Sequence, residues 1–180
     1  MPALIDFVAI PNQSEEYDPE FHTNGYIQQA KDHVKAWVEG QEIAGLTLEE
    51  HNIEGAGPLL YMEIPGSKPD AKTVLMYSHM DKQPPMDGWE EGLGPHTPIV
   101  RGDKLYGRGS GDDGYGVFAG MLMIKTLQKF GLDHPRVVYI NESEEESGSP
   151  NLLQYIEKLK PKIGSVDMVM IIDSGGANYD

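Results

Sequence analysis

His79, Asp81, Asp112, Asp113, Glu144, Glu145, Glu146 and Asp173 have types and positions that could do chemistry together. Val74–Ser78 is an apolar, strand-like run that stops on His79. Val137–Asn141 runs into the Glu144-Glu145-Glu146 cluster, and Met168–Ile172 stops on Asp173. Asp112-Asp113 closes the glycine-rich turn Gly107-Arg108-Gly109-Ser110-Gly111. In an open α/β sheet, ligands bind outside the carboxyl ends of the strands, so the pattern predicts that these stretches meet in one crevice. Carboxylates gathered there repel one another and partly protonate unless divalent ions supply the compensating charge.

Each motif also has a plainer explanation. His79-x-Asp81 puts two side chains on one face of an extended segment, where Asp81 can orient the His79 ring as metal-bound imidazoles require. A His-x-Asp triplet is, by itself, an ordinary surface or core pair. The glycine-rich turn offers a phosphate cradle at a helix start. Two carboxylates would face that anion, however, and no Lys-Ser or Lys-Thr pair completes a P-loop. Acids before a helix also serve the macrodipole alone, which accounts for one aspartate more easily than two. The same explanation applies to Glu144-Glu145-Glu146, although Ser147-Gly148-Ser149 makes a tight turn that would hold those acids at the sheet edge. Asp173 before Ser174-Gly175-Gly176 needs no more than a turn. His22, His33, His51, His96 and His134 lack companion acids and read as background.

Composition narrows the function classes. The chain has 180 residues and is 39% hydrophobic, enough for one core-bearing domain. With Lys+Arg 14 against Asp+Glu 29, the formal charge is −15, which disfavours nucleic acid and an anionic membrane surface as partners. There is no cysteine, so no disulfide, thiolate ligand or cysteine nucleophile exists. Any metal must bind through His, Asp and Glu. The Met1–Asp6 start lacks a basic segment followed by a long apolar one, and no run reaches membrane-spanning length. A cytoplasmic protein is the simplest expectation.

The elements that must position these residues alternate along the chain. Tyr26, Ile27, Ala30, Val34, Trp37 and Val38 recur at helical spacing, with Lys31, Asp32, Lys35 and Glu39 on the outer face. Leu46–His51 and Leu59–Ile64 predict a hairpin, and Val74–Ser78 a strand buried on both faces. A Pro- and Gly-rich segment spans Gln83–Pro98. Ile99-Val100 and Leu105-Tyr106 flank a Gly102-Asp103 turn. A helix, apolar almost all round and therefore expected to be well buried, is predicted from Tyr115 to Phe130. Val137–Ile140 is the next strand, Ser149-Pro150 should open a helix to about Leu159, and Asp167–Ile172 is the last strand.

In order and approximate spacing, His79-x-Asp81, Leu105-Tyr106-Gly107-Arg108-Gly109 leading to Asp112-Asp113-Gly114, Glu145-Glu146-Ser147-Gly148-Ser149 and Asp173 resemble the cocatalytic zinc hydrolases. That family includes carnosine-type dipeptidases, glutamate carboxypeptidases, acetylornithine deacetylases and succinyl-diaminopimelate desuccinylases. The resemblance runs from about Val74 to the end of the chain. It implies an α/β fold, a three-layer arrangement with a mixed, mainly parallel sheet and helices on both faces. It also implies two zinc ions, with cobalt or manganese as substitutes. Asp112 would bridge them, His79 and Asp173 would complete one ion's ligands, and Glu146 would bind the other. Glu145 would be the general base, Asp81 the partner of His79, and the Asp112-Asp113 peptide bond would be cis.

Two departures from the family pattern qualify this. Many members have Lys-Gly after the acid pair, where this chain has Gly114-Tyr115-Gly116, implying different substrate contacts. Members are also much longer, with a further histidine ligand downstream and a lid domain that dimerises. The expectation is therefore that residues 1–180 are the N-terminal part of a catalytic domain, incomplete at its C-terminal side and inactive alone, with a parent that is homodimeric through the lid. The parent is expected to hydrolyse an amide in a small peptide, as a dipeptidase or carboxypeptidase. An N-acyl amino acid deacylase is the alternative, and a non-catalytic metal-binding or assembly module is the alternative of another class.

Overall fold

A computed structural model of the chain describes residues 1–173, so the turn expected at Ser174-Gly175-Gly176 lies outside the described residues. The order is α1 (Pro2–Val8), α2 (Tyr26–Glu39), β1 (Thr47–His51), β2 (Leu59–Ile64), β3 (Thr73–His79), β4 (Ile99–Arg101), β5 (Lys104–Tyr106), α3 (Tyr115–Lys129), β6 (Arg136–Glu142), α4 (Leu152–Ile163) and β7 (Met168–Ile171). Short 3-10 turns span Glu15–Tyr17 and Glu145–Ser147.

The main sheet has the order β1-β2-β6-β3-β7, and β4 pairs with β5 separately. β1 and β6 each run antiparallel to β2, while β3 runs parallel to both β6 and β7. Only β2 therefore runs against the others, and the sheet is mixed but mainly parallel, as expected. Buried apolar positions recur at helical spacing, which sets the faces the helices turn to the sheet. On α2 these are Ile27, Ala30, Val34 and Val38; on α4 they are Tyr155, Leu159 and Ile163. One core joins Phe7 of α1, Val34 of α2 and Val117, Met121 and Ile124 of α3 to Met62, Met76 and Tyr139 of the sheet. The opposite core joins α4 to Leu59, Tyr61, Val138 and Ile140. Helices thus cover both faces. No helix among the described residues is long and apolar enough to cross a membrane.

Four expectations are corrected. Lys31, expected on the outer face of α2, is buried, with its Nζ 2.5 Å from Glu50 Oε2 on β1. α3 is not buried all round, because Leu122 and Met123 stay exposed while Met121 and Ile124 are fully covered. Ser149-Pro150 does not open α4, which begins at Leu152. Ser149 has φ +53°, and its hydroxyl donates 2.8 Å to Glu142 instead of capping the helix. α4 also runs past Leu159 to Ile163, carrying Pro161 within it.

Burial sets the expected cost of substitutions on α3. Met121→Ala, at a fully covered site, should destabilise by about 2–5 kcal/mol. Leu122→Ala, on the exposed face, should stay within about 0.5 kcal/mol in denaturant unfolding.

Candidate metal centre

β3 ends on His79 opposite Glu142 at the end of β6, so both strands deliver their following residues to one sheet edge. β7 lies on the other side of β3, with Tyr77 paired to Ile171, and brings Asp173 to the same edge. The turn bearing Asp112 and Asp113 reaches it because α3 packs closely there. A Cβ on Gly116 would lie 2.6 Å from Asp113 Oδ1, 2.8 Å from the Ile172 carbonyl and 2.8 Å from Ser78 Cβ. The Asp112–Asp113 peptide bond is cis, as the resemblance implies.

His79 is the centre of the cluster. Its buried Nε2 lies 3.2 Å from Asp112 Oδ1, 3.8 Å from Glu145 Oε2 and 4.0 Å from Asp173 Oδ2. Across the ring, Nδ1 is 3.1 Å from the Asp81 carbonyl oxygen and 3.4 Å from its carboxylate. The Asp81 carboxylate also accepts the backbone N–H groups of Glu145 at 3.2 Å and Glu146 at 2.9 Å, which ties the acidic turn to the histidine loop. Gln83 donates its amide to Glu146 Oε2.

Ligand atoms of His79, Asp112 and Asp173 lie within 4.8 Å of one another, as do those of His79, Glu145 and Glu146. The expected ligands and base, with Asp81, therefore lie in or against this cluster, whereas the Glu144 carboxylate accepts from the Asn151 amide at 3.1 and 3.2 Å. His22, His51 and His134 instead contact Glu15, Glu49 and the Pro135 carbonyl, and His33 lies 2.7 Å from the Ala3 carbonyl.

Several residues had no role assigned from sequence. Asp113 accepts the His79 N–H at 2.9 Å, and Tyr115 donates its hydroxyl to the Asp173 carbonyl at 3.2 Å. Lys82 is buried, with Nζ donating to the carbonyls of Phe7, Val8 and Ile10. Only its place beside His-x-Asp could have drawn attention to it.

The electrostatics reflect carboxylate crowding. Burial alone would lower His79, but the Asp112 and Asp81 carboxylates beside the ring and the surrounding negative charge push it up to about 11. The neighbouring His79 ring holds Asp112 below its ordinary value. Burial raises Glu145, and burial with the nearby Asp112 charge pushes Glu146 up to about 7. Burial likewise lifts Glu142 to about 7 and Asp113 to about 8, and lowers Lys82 to about 7. His79 Nε2, Asp113 Oδ1 and Glu146 Oε1 are buried without a hydrogen-bond partner. Buried polar atoms are normally satisfied, and imidazole plus carboxylate oxygens is a donor set that divalent ions accept. The residues present therefore fit a metal.

Residues 75–179 match the model of peptidase family M20/M25/M40. The chain belongs to this family. The Beta-Ala-His dipeptidase of Mus musculus is 30% identical over 180 residues, covering 95% of this chain and 36% of that protein. The crystal structure of an M20 family metallo-carboxypeptidase from Sulfolobus solfataricus superposes with a TM-score of 0.79 at 30% identity. That match covers 97% of this chain and 37% of the carboxypeptidase. Human carnosine dipeptidase 1 gives 0.79 at 26% identity, over 96% of this chain and 38% of the other. This M20 chain thus spans well under half the length of these relatives.

The raised acids fix the sign of the pH dependence. Glu142, Glu146 and Asp113 bind protons more tightly in the folded chain than in the unfolded one. Their contribution is full below the ordinary carboxylate pKa and lost as pH rises through the folded values. The metal-free chain should therefore lose thermal stability from about pH 4 to about pH 8. Above about pH 7, Lys82 acts in the opposite sense and the raised His79 in the same one. Glu146→Gln should flatten the loss. Zn2+ at about 100 times its Kd should restore about 2.7 kcal/mol at pH 7.

Proposed function

We propose that this chain is the N-terminal part of a catalytic domain that hydrolyses an amide bond in a small peptide using two divalent metal ions. The observation that carries the reading is the His79 Nε2, buried and without a hydrogen-bond partner, facing the carboxylates of Asp112, Glu145 and Asp173. His79, Asp112 and Asp173 would hold one ion, and Asp112 and Glu146 the other, zinc being the favoured metal. Such ions supply Lewis acidity toward a water and a scissile carbonyl.

The remaining chemistry belongs to side chains of this chain. Glu145 takes a proton from the attacking water at a carboxylate oxygen and returns it to the leaving nitrogen as the C–N bond breaks. Its burial raises its basicity above that of an ordinary glutamate. Asp81 restrains the His79 ring through Nδ1 and holds the Glu145 backbone through its carboxylate, so acid, base and ligand keep one geometry. Tyr115 steadies Asp173 from α3.

A peptide substrate is favoured over an N-acyl amino acid by the dipeptidase and the carboxypeptidase among the relatives. Because the chain covers 36% of the mouse dipeptidase, further ligand and lid residues are assigned to downstream sequence, together with dimerisation. The setting proposed for it is the cytoplasm.

The test uses the polypeptide extended to the length of its relatives, assayed on a dipeptide panel with and without Zn2+. Glu145→Gln should lower kcat by about 10²–10⁴-fold while retaining bound metal. His79→Ala should lose metal and activity together. Full metal loading with no hydrolysis, or an active Glu145→Gln enzyme, contradicts the catalytic reading; the former outcome favours a metal-binding or assembly module.

A further inference from the structure

We propose that residues 7–16 form a clasp that sets the spacing between the two ligand-bearing turns of the site, with Ser14 and Lys82 as its positioning residues. The inference rests on the metal reading above. It concerns a segment that precedes the family match at residues 75–179.

The clasp grips the first turn, His79 to Lys82, at several points. Asn12 donates its side-chain amide 2.5 Å to the Met80 carbonyl, and the Ser14 N–H donates 3.0 Å to the Lys82 carbonyl. Lys82 grips in return. Its Nζ donates 3.0 Å to Phe7 O, 3.3 Å to Val8 O and 2.6 Å to Ile10 O, and lies 4.6 Å from the Phe7 ring centroid. Those carbonyls belong to the C-terminal end of α1 and the residues just past it, where the helix dipole favours a cation. The side chain is 0% exposed, and a Cβ on Gly109 would lie 2.5 Å from its Cε, so its stem fills a slot under the glycine-rich turn as well.

The same segment grips the second turn. Ser14 Oγ is 2.5 Å from Ser147 Oγ, and the Glu16 N–H donates 2.9 Å to Ser147 Oγ. Ser147 directly follows Glu146, the ligand assigned to one ion, while Lys82 lies in the loop of His79, the ligand assigned to the other. A segment bonded to both turns ties together the ligands they carry. The outer partners of metal ligands typically govern affinity by about 10–100-fold.

The experiment is a calorimetric Co2+ titration of the full polypeptide, with Glu146→Gln and His79→Ala identifying the binding step that each ligand serves. Ser14→Ala and Ser147→Ala should each weaken the Glu146 step by about tenfold or more and spare the His79 step. The double variant should be no weaker than the worse single one, because both remove one shared contact. Lys82→Met should weaken the His79 step. Ile64→Val, buried at the end of β2 that pairs with Val137, lies away from the site and controls for lost stability. It should lower the melting temperature without changing either step. Should Ser14→Ala fold poorly, Ser147→Ala removes the same bond from a half-buried position. Unchanged steps in both serine variants, or weakening that tracks melting temperature in every variant including Ile64→Val, overturns the clasp. A wild-type protein that takes up no Co2+ overturns the metal reading and the clasp with it.

Discussion

The rest of the structure depends on one electrostatic constraint: several carboxylates converge on one buried imidazole. Asp112, Glu145 and Asp173 all approach His79 Nε2 to within 4.0 Å, in a chain whose formal charge is already −15. Without a cation, the cluster relieves itself by holding protons on His79, Glu146 and Asp113 above their ordinary ranges. A divalent ion relieves it by charge and coordination together, which also engages the polar atoms that protein groups leave unpaired.

The fold serves this constraint by delivering ligands from separate elements to one edge. Adjacent parallel strands place His79 and the Glu145-Glu146 turn side by side. Gly116 lets α3 press against Ser78 and Ile172, which sets Asp113 against the His79 backbone N–H and Asp112 beside its ring. Asp81 then cross-braces the arrangement by contacting the His79 ring and the main chain of the acidic turn at once. Deeply buried charge is expensive unless it is hydrogen-bonded, and the fully buried Asp81 carboxylate accepts main-chain N–H groups, while the partly exposed Glu145 turns toward His79.

Much of this architecture was legible in the sequence because its signals are local. The apolar run Leu59–Ile64 marks a strand buried on both faces, and the helical spacing of Ile27, Ala30, Val34 and Val38 marks a helix that buries one. The acids at strand ends are legible because an α/β sheet has only one edge where such residues gather. What escaped depends on contacts between distant positions. The seven-residue α1 is too short for its period to stand out, and it is held from afar by Lys82, a residue type that normally reads as exposed. The Ser149-Pro150 pair carries a helix-start signal, yet Ser149 turns its hydroxyl to Glu142, whose position across the turn no local pattern reveals. The near encirclement of α3 by apolar residues suggested full burial, while the contacts leave Leu122 and Met123 exposed.

Anomalous diffraction at the zinc edge from crystals of the polypeptide grown with Zn2+ tests the central claim most directly. The account predicts density at about 2.0–2.2 Å from His79 Nε2 and from carboxylate oxygens of Asp112 and Asp173, with a second peak beside Asp112 and Glu146. An empty anomalous map at this edge of the sheet, with His79, Asp112 and Asp173 in unchanged positions, would contradict it.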